Sequence, residues 1–272
     1  MMTLELIAAP LFALDLSSLI PERLTGLTVE QIKRLPLAQG RRAESVGDLF
    51  KLRGKPSDVI EILGVTPHCH RLGARMQSGQ LIARGTCGDE LGREMRGGTL
   101  SLDGNAGDCV GMGMRNGLLE INGRAGDFVG GPVPGATSGM RGGAIVITRE
   151  VGARVGDRMR RGLIVVGGDA GVAAASQLIA GTLVVLGAFG AGYASGMRRG
   201  TLLARASEQA VPANFVLTGT FELPFVSVLA AYVSKMKPAF RSRLRAFAKV
   251  ERWVGDRGCG GLGELLIARA AR

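Results

Sequence analysis

The 272-residue sequence has few of the side chains on which most catalytic sites are built. It holds two histidines, one tryptophan, two tyrosines and four cysteines. The histidines, His68 and His70, flank Cys69, so a Ser/His/Asp or Cys/His triad has one cluster to draw on. His-x-His on a strand would put two rings on one face. A zinc site needs further ligands, and no third histidine exists. Cys69 and Cys87 could face each other as neighbours, which leaves a small metal site open, but no metal is expected. Cys69, Cys87, Cys109 and Cys259 form no Cys-x-x-Cys pair. A disulfide framework is therefore not expected and a reducing compartment is. Aromatics make up 4% of the chain. That is poor material for a sandwich or a TIM barrel, and it offers few rings for stacking bases.

Lysine is scarce as well. None lies between Pro56 and Ser234, while the chain as a whole carries 34 basic against 23 acidic residues, a net charge of +11. Arginine dominates. The balance points to an acidic partner, whether nucleic acid, anionic lipid, acidic protein or polyanionic substrate, or else to many solvated arginines. Met1 to Leu16 is apolar but carries Glu5 and Asp15 and lacks a signal peptide's basic-then-apolar pattern. A cytoplasmic location is expected. Ala170 to Met197 is uncharged and long enough to suggest a membrane span. Gly171, Gly181, Gly187, Gly190, Gly192 and Gly196 interrupt it, so no membrane association is expected.

What the chain does have is a repeat. Met76, Met95 and Met114 stand 19 residues apart, as do Met140, Met159, Leu178 and Met197, after one interval of 26. Three residues beyond each comes a glycine: Gly79, Gly98, Gly117, Gly143, Gly162, Gly181 and Gly200. A fixed period near 20 marks a solenoid. Each glycine opens the pattern Gly-x-apolar-x-apolar, whose period of two specifies a strand. The inward pairs run from Leu81/Ala83 and Leu100/Leu102 through Ile145/Ile147 and Ile164/Val166 to Leu202/Ala204. The expected fold is all-β: a right-handed parallel β-helix of about seven 19-residue coils, with a short α/β N-terminal cap and a helical C-terminal segment. The expected division is 1–65 for the first cap, 66–207 for the β-helix and 208–272 for the second cap. The seven extra residues before Met140 include Gly130-Gly131-Pro132-Val133-Pro134-Gly135 and read as a loop leaving one corner.

In the first cap, Thr3–Ile7, Asp48–Leu52 and Val59–Leu63 read as strands, and Thr28-x-x-Gln31 as a capping box opening a short helix. In the second, Phe225–Met236 reads as an apolar helix and Ser234–Arg252 as a basic amphipathic segment with Phe240, Leu244 and Phe247 inward.

Two faces suggest interaction. Arg96, Arg115, Arg141, Arg160 and Arg198 each follow a ladder position, so stacking sets like charges about 5 Å apart. A polyanion laid along the row would relieve their repulsion. On the outward side of the strands the early coils are polar, but Val146, Leu163, Val165, Val184, Leu186 and Leu203 form an apolar face. This face calls for a cover, either residues 208–272 or another subunit. Catalytic residues are not expected. Asp108 and Asp127, one period apart, read as corner residues bonded to backbone amides. Gly187-Ala-Phe-Gly190-Ala-Gly192 is part of the repeat and lacks the lysine and serine of a phosphate loop.

The Gly-x-x-Met-x-x-Gly repeat is similar to the GXGXG solenoid of glutamate synthase's large subunit and of the C subunit of formylmethanofuran dehydrogenase. The flanks, Gly47-Asp-Leu-Phe50-Lys-Leu-Arg-Gly54 and Gly255-Asp-Arg-Gly-Cys-Gly-Gly261-Leu-Gly263-Glu264, resemble the latter, over residues 45 to 267. Within that family the arginine- and alanine-rich chain looks like the form in aerobic methylotrophs, whose counterpart belongs to a formyltransferase/hydrolase complex. The resemblance implies a non-catalytic scaffold beside other subunits. It implies no cofactor on this chain, and a complex that uses a methanofuran-type carrier with a polyglutamate tail, tetrahydromethanopterin and zinc in another subunit. It carries over no catalytic residues. A tungsten or molybdenum formylmethanofuran dehydrogenase is the near alternative. A nucleic-acid-binding or purely structural solenoid is the alternative of another class.

Overall fold

Each alternating segment behind a ladder glycine forms a strand: Gln80–Gly85, Thr99–Asp103, Leu118–Ile121, Arg141–Ile147, Arg161–Val166, Thr182–Val185 and Thr201–Arg205. Neighbours pair in parallel and in phase, so Leu81, Leu100, Leu119, Ile145, Ile164, Leu183 and Leu202 form one file. All of the inward pairs are buried. The structure is a computed structural model and describes residues 1–39, 42–205 and 210–268; the expected boundary between 207 and 208 lies outside them. Among the described residues the regular elements are mostly strands, with few helices, in a parallel-rich sheet of thirteen strands and a solenoid-like arrangement.

The strands make one side of each turn, and backbone hydrogen bonds between turns make two more. At the methionine corner, the amide of Arg96 donates to the Met76 carbonyl, Arg115 to Met95, Arg141 to Met114 and Arg160 to Met140. On the remaining side Gly92 donates to Leu72, Gly111 to Leu91, Gly130 to Val110 and Gly156 to Val129. The enclosed space is filled by files of methionine, leucine, isoleucine and valine with no exposed surface, Met76 to Met197 being one such file. The long interval is a loop: the chain leaves after Gly130, and the Met140 amide donating to the Gly130 carbonyl at 2.8 Å closes it.

One corner has a backbone that composition does not announce. Arg71, Gly73 and Arg75 all have positive φ, and so do Glu90, Gly92 and Glu94 one turn later. The same phase brings Cys109, Phe128, Arg154, Ala173 and Ala175 into the left-handed region. Such residues cost about 1–2 kcal/mol each against their preferred conformation. The inter-turn bonds hold them there: Arg71 donates to Asp89 and Glu90 to Asp108, both at under 3 Å.

The ladder runs beyond the methionine repeat at both ends. Val59–Val65 pairs in parallel with Gln80–Gly85, and Met2–Leu6 pairs in parallel with Val59–Val65. Phe50–Gly54 closes that edge in antiparallel. Leu14–Asp15 pairs with Cys69–His70, so the first residues add to a second side of the solenoid as well. At the other end Gly263–Ala268 pairs in parallel with Thr201–Arg205, followed in antiparallel by Val250–Gly255 and Val216–Phe221.

Some local expectations shift. The capping box of Thr28 and Gln31 opens the helix Val29–Lys33. Asp48 and Leu49, however, lie in a helical turn, Val46–Leu49, because Ser45 and Asp48 form a second capping box. In the C-terminal part Pro224–Met236 is helical, but the basic segment is not one helix. Pro238 interrupts it, short turns follow to Ala248, and Arg252 stands in the strand Val250–Gly255.

Candidate functional site

The arginine row is built by the methionine corner. Because each of these amides bonds to the carbonyl of the ladder residue one turn back, Arg96, Arg115, Arg141 and Arg160 occupy consecutive turns in one phase. Ile179 takes the next turn and Arg198 the one after. The row is thus four cations, a gap and a fifth. All five side chains are exposed. Arg141 donates to the Ser138 hydroxyl at 3.2 Å. Among the described residues, none of the five has a carboxylate within ion-pair distance. At the head of the row Glu22 accepts the Gln77 amide at 2.8 Å, filling the place of a preceding turn's carbonyl.

The apolar face is not open to a partner. Val146, Leu163, Val165, Val184, Leu186 and Leu203 are buried, joined by Leu266 from the last rung. Val226, Leu229 and Val233 of the helix Pro224–Met236 cover them, with Phe240, Leu244 and Phe247 from the turns that follow. Of the two covers that the sequence leaves open, the structure has the chain's own segment, so these six residues form a second core. Its close seat shows at Gly167, where an added Cβ would stand 2.7 Å from the Phe240 ring. The hold is also polar. The Arg243 guanidinium donates to the buried Leu186 carbonyl at 2.7 Å and to the Gly167 carbonyl, at the ends of neighbouring rungs. Lys237 donates to Asn122.

Asp108 and Asp127 are corner acceptors. Asp89 accepts the Asp108 amide at 2.9 Å, Asp108 accepts that of Asp127 at 2.8 Å, and Asp127 that of Ala153 at 2.7 Å. His70 heads the same file: its Nδ1 accepts the Asp89 amide at 3.0 Å. Sequence reasoning missed this role, although the 19-residue interval from His70 to Asp89 was its signal. His68 stands exposed in a turn outside the strand, so the two rings do not share a strand face. Cys69 and Cys87 do meet, both buried, with the Cys87 thiol donating to the Cys69 carbonyl at 3.1 Å. Burial pushes the Cys87 thiol well above its ordinary value. Burial, with Asp108 next, pushes Cys109 up to about 11, which keeps it protonated near neutral pH. Among the described residues no three His, Cys, Asp or Glu side chains are grouped to hold a metal ion.

Beside this corner lies a cleft of about 550 Å³ lined by Asp15, His70, Arg71, Asp89, Glu90 and Cys109. Arg71 bridges it, 3.0 Å from Asp15 and 2.6 Å from Glu90. Burial raises the Asp15 carboxyl, but bonds from Ser17 and Arg71 outweigh it and leave the pKa below the usual value. Glu90 follows the same pattern: burial raises it, and Arg71 and Arg93 bring it below. Asp15, Arg71 and Glu90 are thus tied to one another across the cleft.

A stacked coil with a glycine at every turn, a cationic edge and a self-covered face defines a class. The chain belongs to the GXGXG family, whose motif model matches residues 65–218. Within it, the relatives are C subunits. The C subunit of the formyltransferase/hydrolase complex Fhc from Methylorubrum extorquens is 39% identical over 28% of this chain and 29% of its own length. The C subunit of a tungsten-containing formylmethanofuran dehydrogenase 2 from Methanothermobacter wolfeii is 30% identical over 28% and 30%. That from Methanococcus maripaludis is 28% identical over 27% and 28%. The alignments thus span under a third of these curated relatives. A crystal structure of the FhcABCD complex from Methylorubrum extorquens with methylofuran contains a chain that matches far more. It is 39% identical, covers 98% of this chain and 100% of that one, and has a TM-score of 0.90. Among the described residues no helix is long and apolar enough to cross a membrane. The uncharged run Ala170–Met197 folds into successive turns around the strand Thr182–Val185.

Proposed function

We propose that this chain is a non-catalytic scaffold subunit of a cytoplasmic formyltransferase/hydrolase complex. The complex would take the formyl group of formyl-tetrahydromethanopterin onto a methanofuran-type carrier and release it as formate. The observation that carries this reading is the match at 39% identity, along nearly the whole chain, to a member of an assembly solved with methylofuran. The identities of 28–30% to C subunits of tungsten-containing dehydrogenases support that alternative less. Transfer and zinc-dependent hydrolysis would fall to other subunits; in this chain His70, Cys69 and Cys87 are engaged in packing and corner bonds, while His68 stands alone in an exposed turn. The architecture that goes with the reading is about seven right-handed 19-residue coils at 66–207, an α/β cap at 1–65 and a helical cap at 208–272.

The row Arg96, Arg115, Arg141, Arg160 and Arg198 is the part that meets an anion. Its turns repeat at about 4.8 Å, with Ile179 leaving one gap before Arg198, close enough for one flexible polycarboxylate to touch several cations at once. The carrier's polyglutamate tail has that chemistry, and so does an acidic segment of a companion subunit. Purification of the native assembly through a tag on this chain, with assay of formate release, tests the scaffold role. A chain that purifies alone, or whose removal leaves the activity complete, would refute it. The double substitution Arg115→Glu plus Arg141→Glu tests the row. Carrier affinity or assembly is expected to fall at least tenfold at low salt and to differ less at high salt. Unchanged values at low salt would remove the idea.

A further inference from the structure

We propose that the outward side of the strand-and-helix unit Val216–Tyr232 docks an apolar, acid-rimmed surface of another subunit in the same assembly. This rests on the scaffold reading and goes beyond it by naming the face and its complement. The helix Pro224–Met236 is apolar on two sides. Val226, Leu229 and Val233 face the solenoid, whereas Phe225, Val228 and Tyr232 are 48%, 70% and 52% exposed. A helix that is apolar all round belongs in an interior. The strand just before it, Val216–Phe221, is the outermost of the large sheet and has one unpaired edge. It exposes Val216, Leu217 and Phe221. Six of the twelve large apolar side chains exposed among the described residues therefore fall within this one stretch.

The charge beside it selects the partner. From 210 to 252 the sequence has Lys235, Lys237, Arg241, Arg243, Arg245, Lys249 and Arg252 against Glu222 and Glu251, of which Glu251 stands opposite Thr220 in the neighbouring strand. Arg243 and Lys237 are engaged with the solenoid. Lys235, Arg241 and Arg245 instead border a groove of about 650 Å³ floored by Ala230, Leu244 and Phe247. None of these three has an ion pair among the described residues. An apolar floor with a purely cationic rim complements an apolar protein face bordered by aspartate and glutamate.

The test uses the native assembly, purified through a tag on this chain, with two pairs of substitutions. Val228→Asp plus Tyr232→Asp changes two exposed side chains, so the variant chain should keep the thermal midpoint of the unaltered one. Its yield of companion subunits should fall at least tenfold. Arg241→Glu plus Arg245→Glu should weaken retention at low salt and make little difference at high salt. Companions retained in full by both variants would overturn the proposal and leave the scaffold reading standing. A wild-type chain that purifies without companions would overturn both. Self-association lost with the aspartate pair, or binding to anionic lipid vesicles lost with it, would assign the face to a second copy or to a membrane and would also overturn it.

Discussion

Replacing Arg243 by methionine should loosen the segment that covers the second core. The change keeps an unbranched stem of similar length and removes two donors. Left behind are the Leu186 and Gly167 carbonyls, both on buried residues and both without the guanidinium that satisfies them. Hydrogen bonds from a charged donor contribute about 1.5–3 kcal/mol each, and the guanidinium is partly exposed, so the discounted sum is roughly 2–4 kcal/mol. Burial lowers the pKa of Arg243 from its ordinary value, with the neighbouring Arg205 charge acting the same way, but arginine stays protonated at neutral pH. The loss should appear as local opening. Amide exchange across Pro224–Ala248 is expected to quicken by roughly 30- to 800-fold, while the amides of Leu81–Ala83 and Leu100–Leu102 keep their protection. Arg245→Met is the control, since its side chain is exposed. Equal exchange in the two variants, or protection lost evenly over the whole solenoid, would show that Arg243 does not hold the segment.

Two further outcomes follow from the corner geometry. Ala173 sits at φ 57° and should be relieved by Ala173→Gly, which is expected to raise the unfolding free energy by about 0.5–1 kcal/mol, read as a higher denaturant midpoint at unchanged slope. A fall would mean that the left-handed corner is not strained there. The second concerns pH. Asp15 and Glu90 have folded pKa values below their ordinary ones, so the stability they add is complete above the ordinary carboxylate range and fades as pH falls through the lowered values. Arg71→Gln should flatten the acid limb of a stability-versus-pH curve. An unchanged limb would count against the Asp15–Arg71–Glu90 bridge.

The interior was legible because it repeats. The spacing of Met76, Met95 and Met114 sets the phase, and period-two alternation after each glycine sets which side chains turn inward. The position of the arginine row follows from the same phase, as do Asp108 and Asp127 as acceptors. What covers Val146 to Leu203 was not legible, because two covers satisfy the same burial argument and only tertiary contact separates them. The left-handed conformations of Arg71, Glu90 and Phe128 were hidden for another reason. Local preference opposes them, and the bonds that impose them come from the adjacent turn. Alternation over Thr3–Ile7 shows a strand, but that Met2–Leu6 and Gly263–Ala268 are rungs was hidden, because they lie outside the methionine period and join the ladder by contacts distant in sequence. His70 lacks the further ligands that a metal site needs, and its place at the head of the aspartate file shows only when turns are stacked.

The lid over the outer valines and leucines is encoded after the rungs it protects. As the polypeptide leaves the ribosome, the coils from Arg141 to Arg205 exist before Pro224–Ala248 does. For that interval a folded stack presents bare hydrocarbon along one flank. Products that stop short of Pro224 have no means of their own to hide it, and chaperones or proteases would meet them there first.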